Sequence, residues 1–224
     1  MTNEEVYCNK LLALISYLLE DSYEKFNEVI KEVLEILLAF SNLKISVMEK
    51  EIKENLISGT FIGSDFKVPI SHILSTYSGQ IVKNSENENT IIDNVFASLA
   101  EVFYCNKDMI DSIMKNVEKK LIEFIQEEDK EIKFSFLVLE NINIVRYDLT
   151  FYIKSLKSKK IREKVQSNLS YFVVKSSVNV RQLPFNDFSA LCIEVLTKYF
   201  GEDQNKIRTN LAEMRDAYSI INLS

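Results

Sequence analysis

The feature that most constrains this chain is a change of hydrophobic period near residue 130. Before that point apolar residues recur every three or four positions; beyond it they recur every second position. Ile132, Phe134, Phe136 and Val138 alternate with Lys133, Ser135 and Leu137, and the pattern resumes at Ile142 and Ile144. Tyr147, Leu149, Phe151 and Ile153 alternate with Asp148, Thr150, Tyr152 and Lys154. Phe172, Val174, Val178 and Val180 alternate with Lys175, Ser177, Asn179 and Arg181. A β-branched and aromatic face opposite a polar face reads as a half-buried strand, and the short links favour antiparallel neighbours.

The period ahead of this region is helical. Leu11, Leu14, Ile15 and Leu18 make one stripe over 4–19. Phe26, Val29, Ile30, Val33, Leu37 and Phe40 make a second over 22–40, with Glu28, Lys31, Glu32 and Glu35 off it. Ser46 with Glu49 has capping-box spacing and opens a separate helix over about 47–57, with Gly59 as its stop. Residues 60–68 read as a short strand or loop. Pro69 suits the first turn of a helix through Tyr77, ended by Gly79. The polar run 83–90 is a loop. Helices are expected over 91–104 (Ile92, Val95, Phe96, Leu99, Val102) and 107–127 (Ile110, Ile113, Met114, Val117, Leu121, Ile125). After Pro184, Asn186 or Asp187 caps a helix to Phe200, Gly201 stops it, and a last helix follows. Only 4 Gly and 2 Pro in 224 residues fit such long elements. The expectation is one α+β domain over 1–224: mainly helical over 1–127, β-strands over 131–184, closing helices over 186–217. An antiparallel sheet from the C-terminal half is covered by amphipathic helical hairpins, a three-layer α/β/α stack being one way to do so.

Motifs of chemistry are scarce. The single histidine, His72, lacks a second imidazole for a metal cluster and stands near no nucleophile-elbow spacing. Scattered glycines at 59, 63, 79 and 201 make no phosphate loop. Glu127-Glu128-Asp129 reads as a solvated connector. No catalytic residue, metal ligand or cofactor follows, and a non-enzymatic protein is expected. The net charge of -6 and pI near 5.1 disfavour nucleic acid as a partner. The acidic start lacks a signal peptide's basic region, and no apolar run approaches a membrane span. Synthesis in the cytoplasm is therefore expected, with release from the cell open. Cys8, Cys105 and Cys192 match no metal or redox spacing and read as core residues. Cys192, in Leu191-Cys192-Ile193, is the candidate for a lipid-modified or reactive thiol.

One local charge feature remains. Lys154, Lys157, Lys159, Lys160, Arg162 and Lys164 fall within eleven residues, relieved only by Glu163. They lie between two expected strands, where they make either a solvated, aggregation-resisting tip or a contact for an anionic surface such as lipid headgroups.

The order of elements over 91–183 resembles a known family. Two helices lead into Lys133-Phe134-Ser135-Phe136-Leu137-Val138-Leu139-Glu140, then Tyr147-Asp148-Leu149-Thr150-Phe151-Tyr152-Ile153, then Tyr171-Phe172-Val173-Val174-Lys175-Ser176-Ser177-Val178-Asn179-Val180. That layout is similar to the C-terminal half of the Cyt-type cytolytic δ-endotoxins and the related Erwinia virulence factor. The resemblance implies helical layers over a central sheet that peel away as the strands engage a membrane. It implies no catalytic residue. The chain departs from the family in lacking Trp and in starting with a helix where the toxins start with a strand. A soluble interaction or structural module, self-associating or partner-binding through an open sheet edge or an apolar helix face, is the alternative, and an enzyme using His72 or an acidic residue in a pocket ranks third.

Overall fold

A computed structural model describes residues 3–17, 23–83, 107–125, 130–156, 165 and 167–223. The amphipathic segments form α1 (Asn3–Tyr17), α2 (Tyr23–Ser58), α3 (Lys107–Ile125), α4 (Phe185–Phe200) and α5 (Gln204–Leu223). The alternating segments form β2 (Lys130–Glu140), β3 (Asn143–Ser155) and β4 (Ser167–Val178); a further strand, β1, spans Ile70–Lys83. All neighbours are antiparallel, in the order β1-β4-β3-β2. The fold is α+β.

Two expected helices are absent as such. Residues 69–77 begin β1, not a helix: Pro69 precedes the strand, and Gly79 sits inside it. The β-rich residues Ile73, Thr76, Tyr77, Ile81 and Val82 outweigh one proline signal, because Pro is equally at home just before a strand. Gly79 has its own reason. It pairs with Tyr171, and a Cβ there would meet the Tyr171 hydroxyl oxygen at 2.3 Å, so the ring lies over a position with no side chain. The separate helix over 47–57 is the second half of α2, which runs unbroken for 36 residues. Ser46 caps nothing; its hydroxyl donates back to the Asn42 carbonyl (3.0 Å), as mid-helix serines do. Gly59 (φ 72) and Gly201 (φ 57) end α2 and α4 as expected, both at positive φ, which glycine adopts without a Cβ clash. α4 starts at Phe185, ahead of the expected caps. The helix expected over 91–104 lies outside the described residues.

Residues opposite one another in paired strands share a face. Register therefore assigns Phe134, Phe136, Val138, Tyr147, Leu149, Phe151, Ile153, Leu169, Tyr171 and Val173 to one side. These side chains pack with Met109, Ile113, Val117 and Leu121 of α3 and with Phe188, Leu191, Val195, Leu196, Ile207 and Met214 of α4 and α5. The other side carries Tyr152, Phe172 and Val174, which pack with Phe40, Met48, Ile52 and Leu56 of α2. Leu11 of α1 joins Val33, Leu37, Leu156 and Val165. Helices thus cover both faces, and the stack is α/β/α.

This corrects the half-buried reading of the strands. Every residue of β3 from Ile144 to Ile153 is buried. It also corrects the parity of β4: Phe172 and Val174 face α2, while Leu169, Tyr171 and Val173 join the larger core. Alternation reports the chemistry of each face, not its solvation, when a helix rests on the polar side.

Candidate functional site

The sheet is amphipathic across its own thickness. Its larger-core face is mainly aromatic and aliphatic, while the α2 face mixes Tyr152, Phe172 and Val174 with Ser135, Arg146, Asp148, Thr150, Asn168, Ser170 and Ser176, all buried. The division is clearest in β3 and β4, strands of 13 and 12 residues; β1 does not share it, since His72 and Ser75 fall on the larger-core side while Ile70 and Val82 pack towards α2.

The polar layer is held by specific bonds. Arg146 is fully buried and donates from Nε to Asp148 Oδ2 and from Nη2 to Asp148 Oδ1, both at 2.7 Å. Its other donors reach the Val68 carbonyl (3.2 Å) and the Thr60 carbonyl. Its guanidinium lies 5.3 Å from the Phe61 ring centroid. The Ser135 hydroxyl donates to Asp148 Oδ1 (2.5 Å) and accepts from the Ile62 amide (3.1 Å). One ion pair therefore pins the 59–69 turn against β2 and β3. Farther along, Asn168 Nδ2 donates to Ser41 Oγ (2.7 Å) and the Leu37 carbonyl (3.3 Å), tying β4 to α2.

At the β2–β3 turn the apolar face closes with charge. Glu140 pairs with Lys175 (2.6 Å) and accepts the Tyr147 hydroxyl. The two-residue turn Asn141–Ile142 places Asn141 at φ 57, a conformation Asn tolerates.

Lys154 lies at the opposite end of β3. It is half-buried, with Nζ 5.6 Å from the Phe40 ring centroid, so its stem packs on α2. Lys157, Lys159, Lys160, Arg162 and Lys164 lie outside the described residues. They belong to the connection between β3 and β4, whose register brings Ser155 opposite Ser167. The two flanking apolar residues, Leu156 and Val165, are both buried under α1 and α2.

Cys192 is fully buried among the α4 core residues, and burial pushes its thiol up to about 12, against a smaller opposing pull from Arg215. A thiol kept protonated and out of reach is an inert core residue; acylation or thiolate chemistry has no access to it in this fold. His72 is exposed on β1, and its Nδ1 lies 3.1 Å from the hydroxyl of Ser71, the adjacent residue. Among the described residues no three His, Cys, Asp or Glu side chains gather where they could hold a metal ion. No described helix is long and apolar enough to cross a membrane.

Part of this was visible in the sequence. Arg146 and Asp148 stand two apart in a strand, so they share a face and opposite charges can meet. Glu140 and Lys175 are 35 positions apart, and only the β2–β3–β4 register brings them together. No protein-family model matches the chain. No curated protein is significantly similar to it.

Proposed function

We propose that this is a non-enzymatic, membrane-engaging protein of the cytolytic type that the order of its sequence elements over 91–183 resembles. The observation that supports it most is the two-sided sheet. β2, β3 and β4, antiparallel strands of 11 to 13 residues with one mainly apolar face and one face of mixed polar and apolar residues, have the length and approach the dyad pattern of membrane β-strands, which need about 9–11 residues. In the stored form helices cover both faces. On a bilayer, α3–α5 would leave the aromatic face, which would then meet lipid. The polar face would remain turned towards water or other strands. The basic β3–β4 connection supplies the first attraction, worth about 1 kcal/mol per Lys or Arg near an anionic surface.

Dye release from vesicles tests this. Leakage is expected from anionic vesicles and less from zwitterionic ones. Reversing Lys157, Lys159, Lys160, Arg162 and Lys164 to Glu should abolish the difference. No binding and no leakage with either lipid, before or after trimming of the termini, would remove the reading.

A second reading has its own observation. β1 is an edge strand with Ile73, Leu74 and Tyr77 exposed and no Asp, Glu, Lys or Arg between Ser71 and Val82. Edges of this kind add strands from other chains unless charge or proline guards them. Self-association through β1 would make the protein an interaction module. Light scattering across a concentration series checks it: Thr76→Lys should disperse any oligomer, and a strict monomer at high concentration would count against it.

A further inference from the structure

A cleft of about 350 Å³ opens between α3, the Phe61–Gly63 turn, β2 and α4. Its volume is at the lower end of small-molecule sites, roughly 300–1,000 Å³. Four elements distant in sequence converge on it. The apolar lining is aromatic: Phe134 and Phe136 stack with centroids 5.8 Å apart, and Phe136 meets Tyr199 at 5.7 Å. The charged lining is three lysines, Lys120, Lys133 and Lys198, with no carboxylate among the lining residues.

The lysines are not equivalent. Lys133 pairs with Glu131 (2.8 Å) and Glu51. Burial alone would lower its ammonium, but those two partners outweigh that and hold it above the ordinary lysine range. Lys198 pairs with Glu194 (2.8 Å) and donates to the Gly63 carbonyl. Glu51, Glu131 and Glu194 thus balance Lys133 and Lys198 from outside the cleft. Lys120 instead rests over the Phe134 ring, 5.4 Å from its centroid, and among the described residues no carboxylate pairs with it. Asn116 donates to the Ser112 carbonyl (3.0 Å) and the Lys198 carbonyl (3.4 Å), which ties α3 to α4 beside the site.

We propose that this cleft binds an amphiphilic organic anion: an apolar chain or ring seated on Phe134, Phe136 and Tyr199, ending in a carboxylate that meets Lys120. A neutral amphiphile would gain nothing from Lys120, which stands exposed at the rim, and a cationic one would be repelled there. The site requires no helix to move, so it stands apart from the membrane reading.

The absence of Trp supplies the assay. Tyr199→Trp creates a single indole inside the cleft, whose fluorescence is titrated with ω-bromodecanoate below its micelle concentration. Saturable quenching is expected, displaced by decanoate and not by decyltrimethylammonium. Lys120→Glu should weaken binding about tenfold or more, the loss of a charge-assisted contact. Lys67→Glu, an exposed lysine outside the cleft, should change nothing. If Tyr199→Trp does not fold, calorimetric titration of the unaltered chain and of Lys120→Glu with decanoate reads the same difference. Absence of saturable binding at millimolar decanoate would overturn the proposal. So would equal affinity for the cationic analogue, or equal affinity in Lys120→Glu.

Discussion

Replacing Asp148 with Ala strikes the bond on which the polar layer depends. Asp148 is 3% exposed and Arg146 0%. With the carboxylate gone, the guanidinium keeps only the Thr60 and Val68 carbonyls, and Ser135 loses its acceptor. Removing one member of a buried ion pair costs about 3–5 kcal/mol, because the remaining charge stays desolvated. Against a typical domain stability of roughly 5–15 kcal/mol that is a large share. Arg146→Met should cost a similar amount and also free the 59–69 turn, where the Val68 amide donates to the Gly59 carbonyl (2.8 Å). The double variant Arg146→Met/Asp148→Leu removes both charges of this pair together. It should therefore be less destabilised than the sum of the two singles, by about 2 kcal/mol or more. Urea unfolding followed by circular dichroism gives the three values, and hydrogen exchange at Val68 reports the turn. A loss below about 1 kcal/mol for Asp148→Ala, or strict additivity in the double variant, would mean that the buried pair does not hold this layer.

The same assay checks two further expectations. Gly79→Ala should destabilise by about 1–3 kcal/mol, the usual cost of overpacking, since its Cβ would overlap the Tyr171 ring; pairing it with Tyr171→Leu should recover much of the loss. Cys192 sets an alkaline limb. Its thiol ionises near 9.0 when unfolded and near 12 when folded, so its stabilising contribution is complete below pH 9 and is lost as pH rises towards 12, at roughly 1 kcal/mol per pH unit. Cys192→Ala should flatten that limb relative to the unaltered chain, and identical slopes would contradict the assignment.

The sequence was most legible where one physical signal dominated. Period-two alternation located β2, β3 and β4, and the glycines at 59 and 201 marked two helix ends. It misled where one signal served two structures. Pro69 begins a helix or precedes a strand equally well, and β1 is the latter. Ser46 and Glu49 have cap spacing inside a continuous helix. Which face of β4 meets which layer was beyond local pattern, because Tyr171, Phe172, Val173 and Val174 are all apolar and only pairing with β3 sorts them. The candidate site divides likewise. The basic run is plain in the sequence, and the same-face spacing of Arg146 and Asp148 could have been read. The convergence of Lys120, Lys133 and Lys198 on one cleft depends on tertiary packing alone.

In the proposed membrane-bound form the aromatic face of the sheet meets lipid while its α2 face does not. Spin labels placed singly from Val145 to Ile153 of β3, with the native cysteines replaced, measure this on vesicle-bound protein through accessibility to oxygen and to a water-soluble nickel chelate. A period of two is expected: oxygen-accessible labels at 145, 147, 149, 151 and 153, alternating with chelate-accessible or shielded labels at 146, 148, 150 and 152. Labels that all remain as buried as in the unbound protein, or that show no alternation, would contradict it.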